Sequence, residues 1–445
     1  MARRRSRRAR VPDSIFEGEV ADLAHDGRGV VRLEGKTVFV AGALPGETVR
    51  YKLNNRHRQY DEGEVVEVVE PSADRIAPRC EHFGVCGGCA LQHMDPAAQI
   101  LAKQNRLLEN FRRVGHLQPD TEAMPPLIGP VWGYRRKARL SARYVNKKEK
   151  LLLGFREANG RFVADVEHCH VLSEDVGMQL PRIRECLAQL SIYDQLPQVE
   201  VAAMDNATAL VVRHLAPLTE ADMALLSGLH AATGFHIYLQ SKGPDTVKAV
   251  FPPDSALEVR LEGHDITLAT RPGDFLQVNR SINDSMLERA MELLCLEPDH
   301  AVLDLFCGLG NFSLPLARRV ASVVGVEGEQ AMVDRAAGNA RENGIANAEF
   351  FAADLREDHS QAEWARRSYD RVLLDPPRSG ARDSLGLIAA TGASKIVYVS
   401  CDPSTLARDA GELVREHGFA MTGWGVMDMF PHTHHVESIA VFERR

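Results

Sequence analysis

The sequence predicts an α/β protein in three parts, with a small β-barrel over residues 11–70, a mixed α+β region over 71–270 and a parallel, helix-covered sheet over 271–445. Three observations predict it. Short β-branched runs broken by Gly18, Gly27, Gly29, Gly35, Gly42, Gly46 and Gly63 suit an antiparallel barrel. From about residue 280, strand-length apolar runs alternate with helical stretches, the rhythm of a parallel sheet. Between these parts Cys80, Cys86 and Cys89 crowd together, while Cys186, Cys295, Cys307 and Cys401 are scattered.

A chain of 445 residues exceeds what one hydrophobic core usually serves. At 44% apolar and 26% charged it has the composition of a globular protein rather than a disordered one. No apolar run reaches the roughly 18 residues needed to cross a bilayer, and Arg3 to Arg10 is not followed by a secretory apolar segment, so a cytoplasmic location is expected. Eight cysteines in a chain of this length argue against a disulfide framework. The net charge is −8, yet residues 1–10 hold six arginines and no acid, a basic tail that either is simply solvated or grips phosphates.

Within the barrel, the stretch Arg50 to Tyr60 gathers Arg50, Lys52, Arg56, His57 and Arg58 beside Tyr51 and Tyr60, either a solvated hairpin or a surface for a nucleic-acid backbone. Pro71 to Pro78 is a linker. After the cysteines, Asp95 as cap and Pro96 at the first helical position open a helix whose apolar face carries Ile100, Leu101, Leu107, Leu108 and Phe111, closed by Gly115. Residues 125–270 give mixed β patterns, such as Leu151 to Phe155 and Ala209 to Val212, with a helix near Met178 to Leu190. Strands are expected at Ala301 to Leu305, Ser322 to Val326, Glu349 to Phe351, Arg371 to Leu374 and Lys395 to Val399, with two more near Ala420 to Val426 and Val436 to Phe442. The intervening helices include Gln330 to Glu342 and Ser404 to His417.

Three motifs end strands of that last region: Asp304-Leu305-Phe306-Cys307-Gly308-Leu309-Gly310-Asn311, Asp375-Pro376-Pro377-Arg378 and Ser400-Cys401-Asp402-Pro403. In an open α/β sheet, ligands lie beyond the carboxyl ends of the strands. Gly308 and Gly310 allow a tight turn against a ligand, Glu327 ends the next strand where a ribose-binding acid belongs, and Asp354 ends the third where it can accept from an adenine amino group. With no third glycine and no phosphate-binding Gly-Lys-Ser/Thr, S-adenosylmethionine fits better than NAD or ATP. The double proline stiffens a loop facing a flat substrate. Arg378 stands where amino-methylating enzymes usually carry an aromatic, which points away from an exocyclic amine.

Cys401 precedes a helix start capped by Asp402 and Pro403, a position expected to lower a thiol pKa and to make it a nucleophile. Such a thiolate suits carbon 5 methylation of uracil, because addition at carbon 6 makes carbon 5 an enolate that can attack a methyl group. A base must then remove the carbon 5 proton. Glu437 is the candidate, with His434 and His435 as rivals. Cys307 reads as a small filler. Cys80, Cys86 and Cys89, with Cys169 as the remote fourth, suit a 4Fe-4S cluster or a zinc site. Gly87 and Gly88 leave room for the bulkier cluster, while the spacing does not suit a radical enzyme.

These residues resemble the RNA 5-methyluridine methyltransferase family over nearly the whole chain. The resemblance implies a TRAM domain (an OB-like RNA-binding barrel), a central iron–sulfur domain and a class I, Rossmann-like methyltransferase domain. It implies that Gln277, Phe306, Asn311, Glu327, Asp354 and Asp375 bind S-adenosylmethionine, that Cys401 is nucleophile and that Glu437 is base. It also allows the helix after residue 96 to pack on the catalytic domain. The transfer-RNA members lack the TRAM domain and the cysteine cluster, so the chain looks most like the branch acting on uridine 1939 of bacterial 23S ribosomal RNA. A monomer with ribosomal RNA as partner, and with neither DNA nor membrane, is expected. The base must be flipped out of folded RNA, and the tail, the barrel stretch and Arg135, Arg136, Lys137 and Arg139 are expected to hold phosphates. A 5-methylcytidine enzyme would want a cysteine beside the proline of the fourth-strand loop, which is absent. A non-catalytic assembly factor would not need Cys401 and Glu437 together, and a DNA or small-molecule methylase would not need the barrel.

Overall fold

The computed structural model describes residues 13–445 except Glu34 and Asn159, so the basic tail lies outside the described residues. Strands β1 (Ile15–Leu23), β2 (Gly29–Leu33), β3 (Lys36–Ala41), β4 (Thr48–Arg56) and β5 (Tyr60–Glu70) close into a barrel in the order β1-β2-β3-β5-β4. Val20, Val31, Val38, Val40, Val49 and Tyr51 fill it. Gly18 and Gly29 are needed inside it, since a Cβ on either would come within 2.7 Å of a valine methyl. The expected basic loop is mostly strand β4. Arg50 pairs with Glu17 and Glu67, Lys52 with Asp13, and Arg56 with Asp61, because acids on β5 and near β1 face it across the ladder. Tyr51 is buried in the core, so it offers no stacking surface, whereas Tyr60 stacks on His57 at 4.4 Å.

The central region holds β6 (Lys137–Val145), β7 (Lys150–Gly154), β8 (Gln198–Ala203), β9 (Thr208–Arg213), β10 (His236–Gln240) and β11 (Lys248–Phe251) in the order β11-β10-β9-β8-β6-β7. Only β9 and β10 pair in parallel, and a parallel pair needs a crossover. Helix Glu220–Thr233 supplies it, opened by a reciprocal cap between Thr219 and Asp222 and closed by Gly234 in the left-handed region. A small hairpin, β12 (Leu257–Leu261) with β13 (Ile266–Thr270), follows.

The last region contains β14 (Ala301–Leu305), β15 (Ser322–Glu327), β16 (Ala348–Ala352), β17 (Arg371–Leu374), β18 (Lys395–Ser400), β19 (Phe419–Met427) and β20 (Glu437–Arg444), ordered β16-β15-β14-β17-β18-β20-β19. The first five run parallel, and β20 inserts antiparallel between β18 and β19. Reversal of order at β14 opens a crevice beyond the strand ends on the side where all three motifs lie.

Helix Pro96–Arg113 begins as expected, with Asp95 accepting from Ala97 N at 2.9 Å. Its apolar face docks on the seven-stranded sheet, where Phe111 meets Trp424 edge-on at 5.8 Å and buries fully, a contribution of about 1.5–3 kcal/mol. Leu101 departs from the expectation. It points to solvent, because Gln99, Ile100 and Lys103 occupy the buried face instead. Gly115 serves close packing, since a Cβ there would sit 2.5 Å from the carbonyl oxygen of Ala407 on helix Pro403–Glu416. No helix among the described residues is long and apolar enough to cross a membrane.

Candidate active site

The crevice is a cleft of about 1760 Å³ between the catalytic sheet and the central one. Gln277, Phe306, Asn311, Glu327, Asp354, Asp375, Cys401 and Glu437 all line it. Eight residues drawn from seven separate stretches of chain therefore meet at one place.

One end of the cleft is built on the turn after β14. Phe306 adopts φ 66°, a left-handed backbone that costs a non-glycine residue roughly 1 kcal/mol or more. Its amide and that of Cys307 both donate to Val326 O, at 2.8 and 3.1 Å, which holds the turn against β15. Glu327 ties the loops together, accepting from Gly308 N at 3.1 Å and from its own Gly328 N at 2.7 Å. Asn311 exchanges two side-chain hydrogen bonds with Asn283, at 2.9 and 3.1 Å, so Asn283 on helix Arg280–Leu294 is part of the site and was not anticipated. Gln277 Nε2 reaches Asp375 Oδ2 at 3.4 Å. Asp354 lines the cleft, but its carboxylate is gripped by Arg356 at 2.8 and 2.6 Å, which holds its pKa down to about 2.

Acid accumulates at this end. Burial pushes Asp375 up to about 7, against the Gln277 hydrogen bond. Asp304, beneath the turn, also rises to about 7 through burial and its acidic neighbours Asp375 and Glu327, although Ser313 Oγ donates to it at 2.5 Å. Carboxylates gathered at this end suit a ligand that carries a positive charge.

At the other end, β18 and β20 bring Cys401 and Glu437 together. The register pairs Ser400 with Ser438, so Cys401 and Glu437 are the next facing positions. Cys401 does not show the lowered pKa that its place before a helix suggests. Burial first, then the carboxylates of Glu437 and Asp375, push the thiol up to about 11, with Arg378 opposing. The helix amides that would have favoured a thiolate are taken by Asp402, whose Oδ1 accepts from Ser404 N at 2.8 Å and Thr405 N at 3.2 Å. Glu437 is 6% exposed and rises to about 8 through burial and Asp375, while Arg378 and Lys103 pull it down. His435 lines the cleft too, but burial lowers it to about 4, and His434 is also lowered by burial. Both therefore make weaker bases than Glu437.

Cys80, Cys86, Cys89 and Cys169 line one small pocket together with Phe155, Val166, Val171 and His168. Burial raises Cys86 to about 11 and Cys89 to about 12. A Cβ on Gly88 would lie 3.0 Å from the Phe155 ring and 3.4 Å from Cys86 Sγ, so glycine is what fits there. Among the described residues no group of three or more His, Cys, Asp or Glu side chains is disposed to hold a metal ion.

Of the expected phosphate contacts, Arg139 is exposed in the cleft, where it pairs with Glu200 at 3.4 Å, and Arg136 is not available. It is buried, pairs with Asp205 at 2.8 Å and donates to Ala203 O at 3.0 Å, tying the central sheet to its neighbouring turn. Lys137 is likewise turned inward, donating to Asp274 O, and Arg135 lies over Phe155.

Residues 128–445 match the family model described as tRNA (Uracil-5-)-methyltransferase, and residues 15–66 match the TRAM domain. The 23S rRNA (uracil(1939)-C(5))-methyltransferase RlmD of Alkalilimnicola ehrlichii is 52% identical over 439 residues, covering 98% of each chain. Its counterpart from Stenotrophomonas maltophilia is 51% identical over 448 residues, covering all of both. Among solved structures, the Pyrococcus abyssi tRNA (uracil-54, C5)-methyltransferase in complex with S-adenosyl-L-homocysteine shares the fold at a TM-score of 0.73 and 22% identity, over 96% of this chain and 99% of that one. With a family match spanning well over half its length and full-length relatives at half identity, the chain belongs to the tRNA (uracil-5-)-methyltransferase family.

Proposed function

We propose that this protein methylates carbon 5 of uridine 1939 in 23S ribosomal RNA, the position named in its full-length relatives, using S-adenosylmethionine. The observation that carries the chemistry is the placing of Cys401 and Glu437 at facing positions where β18 and β20 pair, both opening on a cleft whose other end is lined with Glu327, Asp354 and Asp375.

When bound, S-adenosylmethionine supplies a methyl group on a positively charged sulfur. Gln277, Phe306, Asn311, Glu327, Asp354 and Asp375 are the residues proposed to hold it. The raised Asp375 carboxyl would ionise beside that charge, a gain made only on binding. The Cys401 thiolate would add to carbon 6 of the flipped uracil, moving the ring electron pair to carbon 5 and the carbonyl at carbon 4, and carbon 5 would take the methyl group as its bond to the donor sulfur breaks and the bonding pair stays on that sulfur as a neutral thioether. Glu437 then removes the carbon 5 proton, the ring double bond reforms, and the sulfur–carbon bond breaks to return the thiolate. A carboxyl raised to about 8 is well matched to accepting a proton near neutral pH.

The same reading places a 4Fe-4S cluster on Cys80, Cys86, Cys89 and Cys169 in the central domain. It is supported by four thiols sharing one apolar pocket, beside a Gly88 where a Cβ would crowd Phe155 and Cys86. The TRAM barrel and the exposed Arg139 are proposed to contact RNA, in a monomer acting in the cytoplasm. Mass mapping of 23S ribosomal RNA from a deletion strain tests the function. The methyl group at uridine 1939 should vanish and return with the wild-type gene but not with Cys401→Ala; its persistence in the deletion strain would refute the assignment.

A further inference from the structure

Glu437 enters β20 from residues 428–436, a segment without regular secondary structure. Within it Thr433 N and Oγ1 donate to Phe430 O at 3.3 and 2.9 Å and His435 N donates to Thr433 Oγ1 at 3.3 Å, one local turn that leaves the rest of the path to contacts from outside, and the base at its end must meet one proton. Three side chains on helix Pro96–Arg113 hold it, and their spacing of four and three residues puts them on one face. Lys103 Nζ donates to Asp428 Oδ1 at 2.6 Å and to Phe430 O at 3.0 Å. Gln99 Oε1 accepts from His432 N at 2.9 Å, and its Nε2 lies 3.3 Å from His432 Nδ1 while donating to Leu91 O and Met94 O at 3.0 and 2.8 Å. Arg106 Nη1 donates to His434 O at 3.0 Å and to His25 O, in the barrel turn after β1, at 2.8 Å.

Gln99 and Lys103 are 1% and 4% exposed. Lysine is almost never buried so far unless paired, and a buried ion pair is usually no more stabilising than apolar packing of the same shape. If helix and segment needed only to adhere, leucines would serve. Polar groups aimed at particular carbonyls and amides instead specify one path. His432 shows that path to be demanding: it holds φ 64°, its carbonyl accepts from Ala90 N and Leu91 N at 2.8 and 2.9 Å, and its ring lies 4.0 Å from that of Trp132.

We propose that Gln99, Lys103 and Arg106 are positioning residues for the second half of the reaction, fixing residues 428–436 so that Glu437 meets the carbon 5 proton. This rests on the reading of Glu437 as base. Of the groups facing Glu437, the Lys103 ammonium and Arg378 favour its ionised form, Asp375 opposes it, and the Cys401 thiol is itself raised by it.

The test compares Gln99→Leu, Lys103→Met and Arg106→Ala with wild type and with Glu437→Gln, on an RNA fragment containing the target uridine. In Gln99→Leu and Lys103→Met, kcat should fall about tenfold or more while KM for RNA changes less than about threefold, because misplacement acts on the chemical step. S-adenosylmethionine affinity, by calorimetry, should not change. A covalent enzyme–RNA band should accumulate on denaturing gels, since methylated uracil waits for its proton to leave. Arg106→Ala should show the same pattern more weakly. If Lys103→Met strands Asp428 and misfolds, Lys103→Met with Asp428→Leu removes both charges and is read in the same way. A band with Glu437→Gln but none with the helix variants, or a rise in KM alone, overturns the positioning role. No band with any variant overturns the role of Glu437 itself.

Discussion

Ser438 Oγ donates to the carbonyl oxygen of Ser400 at 3.2 Å, locking together the two strands that present Cys401 and Glu437. Both serines are buried, so this bond is shielded from water and the spacing between Cys401 and Glu437, the proposed nucleophile and base, is fixed by backbone pairing rather than by side-chain reach. A step of one residue in that register would turn one of the two groups to the opposite face of the sheet.

Glu437→Gln should keep the shape of the site and remove its proton acceptor. Methyl transfer to the ring should still occur once, leaving RNA attached through Cys401. A slow-migrating band that disappears in the Glu437→Gln, Cys401→Ala double variant is the expected result.

Activity of the free enzyme should climb with pH. Both groups must be deprotonated to act, and both are raised, Glu437 to about 8 and Cys401 to about 11, so protonation holds the enzyme back at neutrality. Each ionisation also opposes the other, which spreads the rise. A profile of kcat/KM against pH should therefore increase from about pH 7 to about pH 9, and a flat profile across that interval would contradict these shifts.

Gly115→Ala should weaken the junction between helices Pro96–Arg113 and Pro403–Glu416. The added methyl meets backbone at 2.5 Å, and backbone cannot rotate away as a side chain can. Overpacking of this kind costs about 1–3 kcal/mol, measurable as a lower urea midpoint with an unchanged slope.

Cys89→Ser should abolish bound iron and the visible absorbance of an iron–sulfur centre in anaerobically purified protein. Because Ala90 and Leu91 directly follow and hold the carbonyl of His432, the same variant should also slow turnover. Full iron content in Cys89→Ser would remove Cys89 from the ligand set.

Much of this was legible in the sequence, and the reasons differ by element. The parallel sheet announced itself because its strands are buried on both faces and read as apolar runs ending in Gly, Pro or acid; Gln330–Glu342 matches the expected helix residue for residue. Glu327, Asp354 and Asp375 drew notice in the sequence because each follows or ends such a run, whereas Gln277 was implied only by the resemblance and Glu437 opens its strand. What the sequence hid was pairing. Arg136 and the barrel's Arg50 and Lys52 look like phosphate ligands until Asp205, Glu17, Glu67 and Asp13 arrive from elsewhere in the chain. The acidity of Cys401 was misjudged for a related reason: the carboxylates facing it are remote in sequence, and Asp402 takes the helix amides. Gln99 and Lys103 did leave a signal, as polar residues on the apolar face of an amphipathic helix beside Ile100, Leu107 and Phe111.

The contact of Arg106 with both His25 and His434 bears on any attempt to build chimeras. Grafting a foreign barrel onto this catalytic unit, in order to retarget it to a different RNA, would also replace the turn that Arg106 leans on. Such hybrids should bind their new transcript and yet react sluggishly unless the turn around His25 is transplanted back, so substrate choice and reactivity in this enzyme are not separable cassettes.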